Sequence, residues 1–367
     1  MTDIRIERWA HTLVHYCLYL RPGELLAIYA TTQAAPLVEA VYRETLRVGA
    51  QPVPVIGLEN LEEILLREGN DEQISTASPV ARALAEHANA SLTILSSSNP
   101  KALSTVDPAR VARRHQAQAE IFRIRHQHAQ ANAFRWSLTL YPTSGYAQDA
   151  GMSLREFEHF VYDVCFLNDP DPGARWQEIS VQQQRLVDWL KGHERVHILG
   201  QGTDLTLSIK DRVFINSDGK RNFPSGEVFT GPLEDSANGV IEFAIPASYD
   251  GRAVAGVRLV FQQGKVVEAS AQQGEDYLRQ ALEMDAGARY LGEFAFGNNK
   301  QVTRPTGNTL FDEKMGGTIH LALGNSYPET GGVNQSALHW DMVCDLRTQG
   351  EVWIDDTLFL KDGNILI

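Results

Sequence analysis

The sequence predicts an α/β protein in two parts: an N-terminal three-layer domain built on a mostly parallel sheet, residues 1–192, and a C-terminal α+β domain, residues 193–367. Three observations lead there. Segments of helical and of strand character alternate through the first half, as crossover connections between parallel strands require. From Arg195 the texture changes to short alternating strands and tight turns. The last third gathers metal-ligating side chains into short phrases punctuated by glycine.

The elements follow in order. Ile4, Trp9, Leu13, Cys17 and Leu20 recur at helical spacing until Arg21-Pro22-Gly23 ends the run. Glu24 to Tyr29 is a short apolar stretch suited to a buried strand, residues 35–49 form an amphipathic helix closed by Gly49, and Pro52 to Leu58 is the next strand. Helical patterns at 59–68 and 79–88 lead to the strand Ser91 to Leu95. A long helix over 107–133, a strand from Trp136 to Leu140 and a helix from Leu154 to Leu167 complete this half. The proline-rich stretch Asn168 to Gly173 then precedes a helix over 175–192, which sets the domain boundary near 190–195.

Beyond the boundary, residues 196–199, 205–209 and 213–215 alternate as strands, and Asp250-Gly251 and Gln263-Gly264 supply hairpin turns. A helix over 274–286 precedes Glu293. Gly200-Gln201-Gly202 is a turn rather than a dinucleotide fingerprint, because no helix opens after it and no third glycine stands in register.

Composition narrows the function. With 43% hydrophobic and 22% charged residues the chain is an ordinary globular protein, and no apolar stretch is long enough to cross a bilayer. A net charge of −13 argues against nucleic acid as a partner, since phosphate binding needs clustered cations. Arg113-Arg114 and the segment Arg123 to His128 form the solvated face of the long helix, so His126 and His128 are surface histidines. Cys17, Cys165 and Cys344 are odd in number, lack Cys-x-x-Cys spacing and sit in apolar runs. They read as buried thiols in a reducing cytoplasm, and the opening residues show no secretory leader.

The chemistry lies in the second part. Glu227, Glu293, His320, His339 and Asp341 compose a ligand set of oxygen and imidazole without thiolate, which suits two divalent cations such as zinc, cobalt or manganese. In Ala-Leu-His-Trp-Asp-Met the period of two puts His339 and Asp341 on one strand face. His320 lies in the apolar strand Thr318 to Leu323, and Glu227 and Glu293 are expected on turns hinged by Gly226 and Gly292. Glu313, in Phe-Asp-Glu-Lys, is either a sixth ligand or a surface charge. Ser326 and Ser336 have no nucleophile-elbow context, and the pairs Glu234-Asp235 and Asp355-Asp356 read as turn or cap residues.

The phrases Gly-Glu-Val-Phe-Thr-Gly-Pro, Leu-Gly-Glu-Phe, Ile-His-Leu-Ala-Leu-Gly, Tyr-Pro-Glu-Thr-Gly-Gly and His-Trp-Asp-Met together resemble the metalloaminopeptidase family of aminopeptidases T and S. The resemblance spans the second domain. It implies a dinuclear centre held by Glu227, Glu293, His320, His339 and Asp341, with Glu293 bridging, Glu313 as a further carboxylate and Tyr327 as an active-site tyrosine. It also implies peptide substrates with a free N-terminus, Glu227 or Glu293 as general base, and a homodimer. Two rival readings stand beside it: a mononuclear non-haem iron dioxygenase using His320, His339 and Asp341, and a non-catalytic binding protein on the same fold.

Overall fold

In the computed structural model, which describes residues 3–130, 134–249 and 251–367, the first apolar stretch becomes β1 (Leu25–Thr31), with Leu26, Ala27 and Ile28 buried. It pairs in parallel with β2 (Gln51–Gly57) and β3 (Ala90–Leu95), and β3 with β4 (Arg135–Leu140). Helices Ala35–Val48 and Pro108–Gln130 are the first and last of the crossovers between them. Their ends follow local chemistry: Gly49, at φ 82, closes the helix Ala35–Val48, and a Ser153–Glu156 capping box opens the helix Leu154–Val164. The helix expected over 4–20 is α-helical only over Ile4–Thr12. It then widens to a π-turn over Leu13–Cys17, where the Leu18 N–H donates to the Leu13 carbonyl at 3.0 Å. Residues 131–133, the end of the predicted long helix, lie outside the described residues.

Packing divides the chain into two units, Met1–Arg175 with Gly219–Pro224, and Trp176–Asp218 with Ser225–Ile367. The helix expected over 175–192 runs Pro172–Leu190, and the division falls in its first turn, whereas the sequence set the boundary near 190–195. Leu186, Val187, Trp189 and Leu190 of that helix pack into the core of the second unit, and Gln183 donates to the Glu227 carbonyl there.

The second unit contributes β5 (Arg195–Gly200), β6 (Thr203–Ser208) and β7 (Ile215–Ser217) before the chain returns to the first sheet as β8 (Asn222–Phe223), parallel to β4. Then come β9 (Glu227–Thr230), β10 (Asn238–Phe243), β11 (Ala247–Tyr249), β12 (Arg252–Val254), β13 (Val257–Gln262) and β14 (Lys265–Ser270). The last strands are β15 (Leu291–Gly297), β16 (Thr318–Gly324), β17 (His339–Asp345), β18 (Glu351–Ile354), β19 (Thr357–Lys361) and β20 (Asn364–Ile365). They build an antiparallel sheet of order β14-β13-β10-β6-β5-β18-β19-β20, a smaller one of order β17-β16-β15-β9-β7, and the two-stranded pair β11-β12.

One hydrophobic core serves both sheets. Val196, Ile198, Leu205 and Ile241 come from the larger sheet, and Val228, Phe294, Phe296, Ile319, Leu321, Trp340 and Met342 from the smaller. Because strand side chains alternate, the same register turns Glu227, Glu293, His320, His339 and Asp341 to the opposite face of the smaller sheet.

Some expectations shift. The third strand of this part is Ile215–Ser217 rather than 213–215, because the Val213 N–H and carbonyl are taken by the Thr330 carbonyl and the Thr230 hydroxyl. The helix over 274–286 stops at Leu282, where Asp285 collects the Gly287, Ala288 and Ala337 N–H groups into a turn. Tyr249 pairs with Arg252, but Asp250 of the predicted hairpin turn lies outside the described residues.

The Gln263-Gly264 turn is as predicted, with φ 49 and 78 between paired Gln262 and Lys265. A Cβ on Gly264 would stand 1.8 Å from the Glu234 carbonyl oxygen. Gly264→Ala is expected to destabilise the protein by about 2 kcal/mol or more, through the left-handed backbone and this contact. Urea unfolding checks it: the midpoint should fall, and a midpoint equal to the parent's would contradict the assigned turn.

Candidate metal centre

The site is assembled on the charged face of β9, β15, β16 and β17. Gly297 pairs with Glu227, Ala295 with His320, Glu293 with Ala322, and Ala322 with Asp341. The register shifts between Leu291 and Glu293, so Gly292 forms a bulge. Glu227 and Glu293 thus lie in strands rather than on the turns expected for them; the glycines before them shape the strand entries.

Glu293 stands in the middle and is 4% exposed. Its Oε1 is 3.5 Å from His320 Nε2 and its Oε2 is 3.4 Å from His339 Nε2. On one side Glu227 Oε2 lies 3.5 Å from His320 Nε2; on the other, Asp341 Oδ2 lies 3.6 Å from His339 Nε2. Two ligand groups result, Glu227 with Glu293 and His320, and Glu293 with His339 and Asp341, each with its ligand atoms within 4.8 Å of one another. Glu313 is buried and forms a third group with His320 and Asp341. All six predicted ligand residues are therefore brought together.

The hydrogen bonding of the cluster is incomplete. Glu227 Oε2, both ring nitrogens of His320 and Asp341 Oδ1 are buried without a hydrogen-bond partner. Such atoms are expensive to leave bare, and here they converge. His339 differs: its Nδ1–H donates to the Asn325 carbonyl at 2.8 Å, which fixes the ring and turns Nε2 into the cluster. The donor set, its burial and its bare atoms fit divalent cations.

Lys314 was not foreseen. It is 1% exposed, with Nζ 2.6 Å from Glu227 Oε1 and also bonded to Glu313. In sequence it reads as one more surface charge; the available signal is its position between buried Phe311 and Met315. Tyr327 precedes the short turn Pro328–Thr330. Its ring packs on Phe229 and His339, and its hydroxyl is 3.4 Å from His339 Nε2.

Charge and burial set the proton affinities. Burial alone would lower His320, but the close carboxylate of Glu293, 3.5 Å away, and the charge of Glu227 push it up to about 9. Asp341 and Glu293 likewise push His339 to about 10 against burial. Both imidazoles draw Glu293 down to about 2, overcoming its own burial. Burial raises Glu313 to about 8, because neighbouring Asp341 and Glu227 offset the help of Lys314. Lys314 is held protonated by Glu227 and Glu313 despite burial, and burial with the nearby carboxylates keeps the Tyr327 hydroxyl protonated.

Other candidates are satisfied elsewhere. In the first unit His11 Nδ1 and His15 Nε2 both meet Glu44 Oε1, at 3.0 and 2.9 Å, while Arg47 takes Glu44 Oε2. Ser326 and Ser336 bond the Asn334 carbonyl and Asp285. Glu234 pairs with Arg212 and accepts from the Val333 N–H, and Asp355 accepts from the Glu194 and Arg195 N–H groups. The side chain of His126 lies outside the described residues.

Comparison with known proteins adds a second line. The family model described as thermophilic metalloprotease (M29) matches residues 2–361. The chain is 30% identical to aminopeptidase 2 of Geobacillus stearothermophilus, over 94% of this chain and 93% of that one. It is 26% identical to aminopeptidase T of Thermus aquaticus, over 98% and 95%. Among solved structures, wild-type AmpT from Thermus thermophilus superposes with a TM-score of 0.86 at 25% identity, covering 99% of both chains.

The proton affinities carry a pH signature for the metal-free protein. His320 and His339 are raised above the ordinary histidine value, so their contribution is complete below pH 6.5 and is lost as pH rises through about 9 to 10. Glu313, raised to about 8, acts in the same direction from pH 4.5 upward, whereas Glu293 contributes above pH 4.5 and loses that as pH falls towards about 2. The Tm of chelator-treated protein is therefore expected to be highest near pH 5–6, roughly, and to fall towards pH 10. A Tm that climbs from pH 6 to 10 would contradict the assignment.

Proposed function

The chain belongs to the M29 family of thermophilic metalloproteases, and from that premise we propose that it is a metal-dependent aminopeptidase acting on peptides with a free N-terminus through two divalent ions. The observation that carries the reading is Glu293, buried with one oxygen toward each histidine and bare ligand atoms of Glu227, His320 and Asp341 around it. Glu227, Glu293 and His320 would hold one ion, and Glu293, His339 and Asp341 the other, with Glu293 bridging and Glu313 a sixth carboxylate. Zinc, cobalt and manganese suit oxygen and imidazole donors. Such ions supply Lewis acidity toward the scissile carbonyl, an anchor for the substrate's α-amine and a water made nucleophilic near neutral pH.

The protein's own groups do the rest. A carboxylate must accept the proton of the attacking water and hand it to the leaving amine. Either Glu227 or Glu293 would take that role. The protonated hydroxyl of Tyr327, 3.4 Å from His339 Nε2, would donate to the oxyanion that forms. The rival iron dioxygenase gains nothing from the geometry: His320 and His339 fall in different ligand groups, with Glu293 between them. We extend the reading to a homodimer in a reducing cytoplasm, which three free and buried cysteines fit. Among the described residues, no helix is long and apolar enough to cross a membrane.

A panel of aminoacyl chromogenic substrates, run on apo-protein reconstituted with zinc, cobalt, manganese or iron(II), tests the reading. Wild-type protein should release N-terminal residues, and His339→Ala or Glu293→Ala should lose about 10³-fold or more in kcat/KM together with bound ion. Full activity in a metal-analysed His339→Ala preparation would sink the proposal. Tyr327→Phe should lower kcat by about 10²-fold with KM little changed. A fall in affinity alone would assign the tyrosine to substrate binding.

A further inference from the structure

Lys314 places a positive charge inside a site that collects cations. Its backbone is pinned on both sides: the N–H donates to the Phe311 carbonyl at 3.0 Å, and the carbonyl accepts from the Asn299 N–H at 2.9 Å. The ammonium is held where it is, bonded to Glu227 Oε1 and to Glu313 Oε1. Those bonds leave Glu227 with Oε2, the bare atom that faces His320.

The consequence is asymmetry. Lys314 touches a member of the Glu227–Glu293–His320 group and of the Glu313–His320–Asp341 group, but none of Glu293, His339 and Asp341. An ammonium one carboxylate away from a dication repels it across a few ångströms of buried protein, and it also takes up part of the Glu227 charge that would otherwise attract the ion. The group at His339 and Asp341 lacks that neighbour.

We propose that Lys314 makes the two ion positions unequal, so that the ion at Glu227 and His320 is weakly held and exchangeable while the ion at His339 and Asp341 is firmly held. This rests on the two-ion reading above. Lys314 acts through Glu227 and Glu313, and is a positioning residue that sets ion affinity by its charge.

The test is a zinc or manganese titration of chelator-treated wild-type, Lys314→Met and Lys314→Arg proteins, followed by calorimetry or equilibrium dialysis. Wild type should take up two ions whose Kd values differ by about 100-fold or more. Lys314→Met should tighten the weaker ion by about 10-fold or more and leave the tighter one unchanged, while Lys314→Arg should preserve the wild-type gap. Glu227→Gln should remove the weak ion and His339→Ala the tight one. A lysine that merely braces the loop predicts the opposite sign, since its loss would loosen the site. Weaker or unchanged uptake of the second ion by folded Lys314→Met overturns the inference, and so do two equal affinities in the wild type should that variant fail to fold. A wild type that binds one ion or none overturns instead the two-ion reading beneath it.

Discussion

A carboxylate held between two imidazoles, 3.5 Å from one and 3.4 Å from the other, organises the second unit. Burying Glu293 among other acids is costly, and the structure meets that cost with compensating partners rather than with solvent. The sheet supplies the geometry. Its strands alternate between a shared hydrophobic core and the charged face, so the same register that buries Phe294, Ile319 and Trp340 also aims Glu293, His320 and Asp341. A slip of one residue would exchange the two faces. The core therefore protects the site by making wrong registers expensive, and a bulge at Gly292 shifts the pairing immediately before Glu293.

Incomplete hydrogen bonding separates this cluster from the His11–His15–Glu44 cluster in the first unit. His11, His15 and Glu44 have metal-compatible chemistry, yet their facing atoms are paired, and Arg47 supplies the countercharge. A cation arriving there would have to displace existing partners. At Glu227, His320 and Asp341 the buried atoms have none to displace. The raised proton affinities of His320 and His339 express the same condition in another form: carboxylates without enough positive charge bind protons where they can.

Much of this was legible in the sequence, for reasons that are local. A period of two around Trp340 is enough to pair His339 with Asp341, and glycine at 226 and 292 marks where the backbone bends before each glutamate. The helices of the first unit carry their own caps, and the alternation of elements led to the parallel sheet. What was not legible depends on distant partners. Strand β8 returns to β4 across more than eighty residues, and nothing in Asn222-Phe223 announces it. Val213 leaves its strand because Thr330 and Thr230 claim its backbone. Glu227 and Glu293 are strand residues because Gly297 pairs with Glu227 and Ala322 with Glu293. Lys314 is flanked by the apolar Phe311 and Met315, but its burial becomes tolerable only once the distant Glu227 joins the adjacent Glu313 around the ammonium.

Glu313 reaches the cluster from a loop rather than from a strand. It stands seven positions before His320, and the residues between must return the chain to β16 in a confined space. Glu313 caps the short helix Thr309–Asp312, while Asp312 binds the Thr306 and Gly307 N–H groups and so fixes the loop behind it. The return is made by Gly316-Gly317. A Cβ at Gly316 would stand 3.0 Å from Lys300 Cα, and one at Gly317, where φ is 84, would stand 2.7 Å from the Gly363 carbonyl. Two glycines thus let the chain pass between neighbouring backbones, and the turn carries Glu313 and Lys314 inward as a pair. Delivered without its lysine, Glu313 would bring one more negative charge to a cluster already short of cations. Delivered with it, the carboxylate arrives already bonded to a counterion. The spacing and the buried ammonium are therefore one structural device.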